Sequence, residues 1–215
     1  MSDEAKGGTD PRMAPAAEGT RSAEGQVEIG APPERIWRAL TEAEELIRWF
    51  PLEARVEPGE GGSVWMSWKN EYAGESKILV WEPGRHLRTS WGWHEGEGPV
   101  QITDYLLEGR GGRTVLRVVT SGFPSDASWD DWVEGTRKGW AFELASLRHY
   151  LEHHDGEDRE VIYLRRRVGR TREEIWARLF GPHGLGGRPL GGRPIDEERP
   201  VQYAAIVDDP PGGLF

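Results

Sequence analysis

The sequence predicts an α+β domain in which an antiparallel β-meander wraps around a long C-terminal α-helix, with two short helices after the first strand. Three observations predict this arrangement. Turn residues recur at short intervals between residues 52 and 121, apolar residues follow a helical period from Ser125 to about His153, and Pro33 marks a helix start after a short strand. Strands joined by hairpin-length turns form antiparallel sheets, whereas parallel strands need long crossovers.

The first elements follow residues 1–23, which mix Gly, Pro, Ala and charged residues without apolar periodicity and are expected to form a disordered tail. A short strand is predicted at residues 27–30. Pro33 suits the first turn of a helix, because its missing N–H would have no partner there. Thr41 and Glu44 have the spacing of a capping box, so a second short helix is expected to reach Trp49 and to end at Pro51.

The meander is predicted from five strand-like segments rich in apolar and β-branched residues. Turns of Gly, Pro and charged residues separate these segments, at residues 58–62, 82–84, 95–98 and 108–112. Connections of this length join neighbouring antiparallel strands.

The long helix carries one apolar stripe of about 22 residues. Its members recur at steps of three or four: Trp129, Val133, Thr136, Trp140, Leu144, Leu147 and Leu151. Gly135 and Gly139 lie inside this helix at a cost of about 1 kcal/mol each relative to Ala. They indicate that backbone room is needed, either for close packing on the sheet or for an internal cavity.

The composition of the 215 residues excludes several classes of protein. Cysteine is absent, which excludes disulfides and thiolate chemistry. A formal charge of −10 argues against nucleic acid as a partner. No apolar run approaches the roughly 20 residues of a membrane span, and the first residues lack the order of a signal peptide. We therefore expect a cytoplasmic protein without a membrane partner.

Five stretches between residues 27 and 152 carry a resemblance to a known family. They are APPERIWRALTEAEELIRWF at 31–50, GG at 61–62, VWEPGRHLRTSW at 80–91, LLEGRGGRTVLRVVTSGF at 106–123 and GWAFELASLRHYLE at 139–152. In this order they resemble the bacterial relatives of the activator of heat-shock-protein-90 ATPase, within the START, Bet-v-1 and polyketide-cyclase superfamily. The resemblance implies the helix-grip fold for residues 24–153, followed by a linker at 154–159.

Tryptophan is unusually frequent, with 11 Trp beside five Phe and five Tyr. Each Trp hides a large apolar area, so this number either fills a core or lines a cavity. In the superfamily that the chain resembles, the end of the second short helix borders the cavity mouth. The candidate lining residues are Trp49, Phe50, Trp91, Trp93, Trp129, Trp132 and Trp140. Unless these side chains fill the space, such an interior suits a small apolar or aromatic ligand.

Asp104 is a candidate polar group of the same cavity. Its direction depends on the strand register, because successive residues of a strand point to opposite faces. If Ile102 and Leu106 face inward, Asp104 does so too. If Tyr105 and Leu107 face inward, Asp104 is solvated.

The sequence holds no motif for a nucleophile, a phosphate-binding loop or a metalloprotease. His149 and His153 are four residues apart on the long helix. Imidazoles near a helix C-terminus complement the helix dipole, so we expect no metal site there. No catalytic residue and no cofactor is assigned, and binding is favoured over catalysis.

After the linker the sequence begins again. Residues 166–180 align without gaps on residues 27–41 at a constant offset of 139, and the aligned pairs include Gly30 with Gly169 and Ile36 with Ile175. Residues 160–215 are therefore predicted to be an incomplete second repeat with a strand, a helix, a Gly/Pro tract and a further strand. Because an incomplete repeat exposes apolar surface and strand edges, this segment is expected to dock on the first domain or to self-associate.

Two functions remain open at this point. The first is the binding of a small apolar or aromatic molecule in the cavity. The second is a protein-interaction module related to the activators of the heat-shock-protein-90 ATPase, with a chaperone as partner. Those activators carry an additional N-terminal domain that contacts the chaperone. Only about 23 residues precede the predicted fold in this sequence, which favours ligand binding.

Overall fold

The computed structural model describes residues 20–69, 72–91, 99–161 and 169–180. The chain divides into two units, residues 1–159 and 160–215. The strands are β1 (Thr20–Ile29), β2 (Glu53–Glu57), β3 (Ser63–Ser67), β4 (Ala73–Glu82), β5 (His86–Trp91), β6 (Gln101–Arg110) and β7 (Arg113–Pro124). The helices are α1 (Pro33–Thr41), α2 (Ala43–Leu46), α3 (Asp130–His153) and α4 (Arg172–Phe180).

The described strands form one antiparallel sheet in the order β1-β7-β6-β5-β4-β3-β2. Strands β2 to β7 therefore follow each other as a meander, and β1 closes against β7. This confirms the predicted α+β class and the antiparallel meander, but β2, which precedes the first predicted turn, was not among the five predicted segments. β1 begins at Thr20 and pairs with β7 along its whole length. Residues 20–23, which were expected in the disordered tail, are thus strand, while residues 1–19 lie outside the described part.

α1 lies where the sequence predicts it, whereas α2 ends at Leu46 and does not reach Trp49, and the predicted capping box is wrong. α1 begins at Pro33 and buries Ile36, Trp37 and Leu40. The Thr41 hydroxyl donates its hydrogen bond back to the carbonyl of Trp37, at 2.7 Å, and so does not cap α2. α2 starts instead after Glu42, which makes no side-chain cap.

A buried ionic cluster holds the short helices against α3. Glu45 of α2 is only 4% exposed and accepts hydrogen bonds from Arg35 at 2.6 Å, Arg48 at 2.9 Å and the Tyr150 hydroxyl at 2.8 Å. Burial disfavours the charged carboxylate, but the hydrogen bonds from Tyr150 and Arg35 outweigh it and lower the pKa of Glu45. The cluster thereby fixes the position of the residues that follow α2, including Trp49.

α3 lies against the sheet mainly along β1 and is buried over its C-terminal half, at Trp140, Leu144, Leu147, Tyr150 and Leu151. Helix and strand approach closely at Gly25 of β1. A Cβ atom on Gly25 would lie 2.9 Å from Leu144 Cδ1 and 3.1 Å from Trp140 Cβ. The close packing considered for the helix glycines is therefore achieved by a strand glycine.

The second unit is described at residues 160–161 and 169–180. Its helix α4 starts with a true capping box, in which Thr171 Oγ1 accepts from the N–H of Glu174 and Glu174 accepts from the N–H of Thr171. α4 spans Arg172–Phe180, which is the range of α1 shifted by the predicted offset of 139. The remaining segments of the predicted second repeat, including the Gly/Pro tract, lie outside the described residues.

Candidate functional site

A cavity of about 350 Å³ lies between the sheet and α3. Four parts of the chain contribute to its wall: the short-helix segment, strands β3 to β5, strands β6 and β7, and α3. Its lining is mostly aromatic or aliphatic, and consists of Leu40, Leu46, Trp49, Phe50, Val64, Met66, Trp68, Tyr72, Ser76, Leu87, Thr89, Trp91, Gln101, Thr103, Tyr105, Thr120, Thr136, Gly139, Trp140 and Glu143. The tryptophan side chains thus surround a space rather than fill it.

Aromatic side chains contact one another along the inner part of this wall. Trp49 is buried and stacks on Phe50 with ring centroids 5.1 Å apart. Phe50 lies 5.9 Å from Trp140, and Trp140 meets the ring of Tyr105 edge to face at 5.7 Å. Contacts of this kind stabilise one arrangement of large rings beyond the effect of area burial. The wall is therefore preorganised before any ligand enters.

A second row of aromatic rings leads toward solvent. Phe50 contacts Trp68 at 5.2 Å, Trp68 contacts Tyr72 at 6.3 Å, and Tyr72 stacks on Trp91 at 5.2 Å. Tyr72 is 39% exposed, so the wall reaches the protein surface at this ring. The hairpin that carries Trp68 and Tyr72 is closed by a hydrogen bond of 2.7 Å from the N–H of Trp68 to the carbonyl of Tyr72.

The hydroxyl groups deep in the cavity are paired with protein groups. Trp140 Nε1 donates to Thr120 Oγ1 at 2.9 Å, and the Thr103 and Thr120 hydroxyl oxygens lie 3.1 Å apart. These bonds anchor the Trp140 ring to β7 and leave mainly carbon surface facing the cavity.

Gly139 explains how α3 can border a cavity. It lines the space, and a Cβ atom built on it would meet no atom within 4 Å. Of the two readings of the helix glycines, the structure therefore favours widening of a cavity at Gly139. Gly135 also has nothing within 4 Å, but it is exposed and does not line the cavity.

Glu143 is the one lining residue of the described chain that carries a carboxyl, amino, guanidinium or imidazole group. Burial raises the pKa of this carboxyl to about 8, although the positive charge of Arg159 acts in the opposite direction. Arg159 itself donates to the carbonyls of Phe50 at 3.3 Å and Pro51 at 2.8 Å. A protonatable acid thus faces an otherwise uncharged wall.

The structure brings together four of the residues that the sequence proposed for the cavity, namely Trp49, Phe50, Trp91 and Trp140. Trp129 and Trp132 are not among the lining residues. They lie at the start of α3 with their rings 6.3 Å apart, and Trp132 is 51% exposed. Trp93 lies outside the described residues.

Asp104 is on the opposite face of the sheet from the cavity. Its neighbours Thr103 and Tyr105 line the cavity, so the register is the one in which Tyr105 faces inward. The Asp104 carboxylate accepts from Arg88 Nε at 2.6 Å and lies 2.6 Å from His86 Nε2. Its expected role at the cavity is therefore wrong, because strand alternation directs it into an ion pair on the other face.

Sequence reasoning missed Glu143, Trp68, Tyr72 and Tyr105. Glu143 lies next to the apolar stripe of α3, four residues after Gly139. An acidic residue at the edge of an apolar stripe, one turn from a glycine, was the sequence feature that could have indicated a polar group at the cavity. Trp68 and Tyr72 sit in a hairpin turn, for which no sequence pattern gives the side-chain direction. Tyr105 followed from the alternative register of β6.

The described residues contain no group of three or more His, Cys, Asp or Glu side chains arranged to hold a metal ion. The imidazoles of His149 and His153 pack against each other with centroids 5.1 Å apart. No helix in the described part of the chain is long and apolar enough to cross a membrane.

A curved antiparallel sheet, a long helix along it and a cavity between them define a protein with the helix-grip fold. A family model described as "Activator of Hsp90 ATPase homolog 1-like protein" matches residues 30–152. The chain belongs to this family. None of the curated proteins shows a significant match to the chain.

Solved structures of the same fold include protein MLL2253 from Mesorhizobium loti, which is 24% identical over 63% of this chain and 99% of its own, with a TM-score of 0.55. The solution structure of the Aha1 dimer from Colwellia psychrerythraea is 22% identical over 63% of this chain and 99% of its own, with a TM-score of 0.56. DynU16, a protein from the dynemicin biosynthetic locus, is 20% identical over 86% of this chain and 70% of its own, also with a TM-score of 0.56. At these identities the likeness concerns the fold alone.

Proposed function

We propose that the first unit binds a small apolar or aromatic molecule in the cavity between the sheet and α3. The observation that carries this proposal is the open space of about 350 Å³ inside a wall of large rings. Ligand sites commonly occupy about 300–1,000 Å³ and are mainly apolar with a few polar groups. The cavity is therefore of the size that suits two or three fused rings.

The chemistry of the wall favours flat apolar molecules. Seven aromatic side chains line the cavity, and the deep hydroxyls of Thr103 and Thr120 are engaged with each other and with Trp140. A polar group placed against the rings would lose its hydration without gaining a hydrogen bond, which is costly. A flat apolar ligand gains from leaving water and from stacking on rings that are already held in place.

The test is a titration followed by intrinsic tryptophan fluorescence and by the melting temperature. We expect naphthalene- and anthracene-sized aromatics to change the emission, because Trp49, Trp68, Trp91 and Trp140 line the site, and to raise the melting temperature. Gly139→Leu should fill the cavity and weaken binding at least tenfold.

The matched control is Gly135→Leu, which adds the same side chain one turn earlier, outside the lining. It should leave binding unchanged. If none of the aromatics binds, or if both variants bind as well as the parent protein, the proposal is wrong.

A second candidate function is the protein-interaction module. It is favoured by the description of the matched family and by the half-exposed Trp132 at the start of α3, since exposed Trp is enriched at protein interfaces. Native mass spectrometry of the purified protein, together with a pull-down from lysate, separates the two candidates. A co-purifying small molecule supports the first, and a stoichiometric chaperone lost in Trp132→Ala supports the second.

A further inference from the structure

The cavity wall combines many aromatic faces with one acid and no base. Its seven rings are Trp49, Phe50, Trp68, Tyr72, Trp91, Tyr105 and Trp140. Among the described lining residues, Glu143 supplies the only carboxyl group, and no Lys, Arg or His is present. Such a wall favours a cationic ligand over an anionic one, because the face of an aromatic ring is the negative end of its quadrupole.

The basic residue whose charge acts on Glu143 is already engaged. Arg159 follows α3, is not a lining residue, and donates to the backbone carbonyls of Phe50 and Pro51. Its guanidinium therefore serves to fix the segment after α2. Although Arg159 and Glu143 attract each other, burial dominates at the carboxyl and raises its pKa to about 8. The carboxyl thus has a weak partner in the protein and is available to a ligand.

We propose that the ligand is an organic cation: a flat apolar body with one ammonium or similar basic nitrogen, held between the aromatic faces and the carboxylate of Glu143. This inference rests on the proposed function and specifies its ligand class. A cation over an aromatic face is attracted by the negative face of the ring, and a carboxylate in a poorly hydrated site adds a direct charge interaction. An anionic ligand such as a fatty acid would find no basic group on the described wall.

Binding of a cation is coupled to the proton on Glu143. At pH 7 the Glu143 carboxyl is protonated in most protein molecules. Because the cation binds the ionised carboxylate, binding must release this proton. The affinity for the cation therefore falls about tenfold for each pH unit below the pKa of Glu143. The other titratable groups near it do not change charge in this range. Burial lowers the pKa of the Arg159 guanidinium from its high ordinary value, while the charge of Glu143 opposes this, and burial raises the pKa of both Tyr72 and Tyr105, which stay neutral.

The experiment uses three probes with the same ring system: (2-naphthylmethyl)trimethylammonium, 2-naphthylmethanol and 2-naphthoate. Isothermal titration calorimetry with the full-length protein measures each affinity between pH 6 and pH 9. We expect the permanent cation to bind at least tenfold more tightly than the alcohol at pH 8.5, and the carboxylate to bind most weakly. The affinity of the cation should fall about tenfold from pH 7 to pH 6, while the affinity of the alcohol stays constant.

Glu143→Gln should remove both the preference for the cation and its pH dependence, and should leave the affinity for the alcohol unchanged. Glu134→Gln is the matched control, because it removes one acid from α3 that pairs with Arg137 and does not line the cavity. It should behave as the parent protein.

Equal affinity for cation and alcohol, or a preference for the carboxylate, would overturn the inference and leave the proposed function standing. Lack of binding of all three probes would overturn both. Since the three probes are compared on the unmodified protein, the result holds even if Glu143→Gln fails to fold.

Discussion

The two halves of α3 differ in how closely they pack, although one continuous apolar stripe runs along both. From Trp140 onward the helix is buried and lies against β1, with Leu147 fully buried and Leu144 only 2% exposed. Before Trp140 no residue of the helix is buried, and Thr136 and Gly139 border the cavity instead. Periodicity determines which side of a helix faces the protein, but only the distance to the sheet determines whether that side is packed or open.

The glycines mark this difference. Gly25 of β1 lets the sheet approach the packed half of α3, whereas Gly139 faces open space at the end of the other half. The same residue type thus permits contact in one half and preserves a void in the other. α3 borders the cavity with Thr136 and Gly139 before Trp140, and with Trp140 and Glu143 where the packed half begins.

The largest effect that tests the comparison is expected from Trp140, the residue at the border of the two halves. Trp140→Ala removes a buried ring, its hydrogen bond to Thr120 and its contacts with Phe50 and Tyr105. Large-to-small changes of this kind cost about 3–5 kcal/mol, measured as the free energy of unfolding in urea. Trp132→Ala, in the open half, should change it by less than about 0.5 kcal/mol. Similar losses in both variants would show that the two halves are packed alike.

An effect of similar total size, spread over several pH units, is expected from the charge of Glu143. Its pKa in the folded protein is about 8, above the ordinary value of 4.5, so its contribution is complete below pH 4.5 and is lost as the pH rises toward 8. Between these values the free energy of unfolding should fall by up to about 1.4 kcal/mol per pH unit relative to Glu143→Gln. Chemical denaturation of both proteins from pH 5 to pH 9 measures this difference. A difference that does not vary with pH would place the carboxyl in water rather than at the cavity.

The smallest effects come from the two glycines, and they should have opposite signs. Gly25→Ala forces a Cβ atom against Leu144 and Trp140 and should destabilise the protein by about 1–3 kcal/mol. Gly139→Ala meets no atom and gains helix propensity, so it should stabilise the protein by up to about 1 kcal/mol. Thermal unfolding of both variants measures the two shifts. Destabilisation by Gly139→Ala would mean that the void at this position is filled.

α1 and α4 occupy equivalent positions in the two aligned segments of the sequence. Both helices have nine residues and start at the offset of 139 that the sequence shows. They begin differently, because α1 has Pro32 and Pro33 at its start and α4 has a capping box of Thr171 and Glu174. Two statements about residues 160–215 stay predictions. The first is that they form an incomplete second repeat, and the second is that they dock on the first domain or self-associate.

Sequence patterns predicted the order of most elements and much of the core, but they missed β2 (Glu53–Glu57). Pro33 marked α1, the turn residues marked the hairpins, and the stripe of α3 contained Trp140, Leu144 and Leu147, all of which are buried. These features are local, since each depends on residues within one or two turns or on the period of one strand. The capping box at Thr41 failed because its hydroxyl had a closer acceptor in the last turn of α1.

Only the tertiary structure decided which of these side chains meet. The direction of Asp104 depended on the pairing of β6 with β5, and the place of Trp68 and Tyr72 in the cavity wall depended on the ends of β3 and β4 lying beside Phe50 and Trp91. Glu143 became a candidate functional residue only because α3 places it beside rings from three other parts of the chain. The sequence alone determined most of the elements and the family, because both rest on local pattern, whereas the cavity depends on distances between elements far apart in the chain.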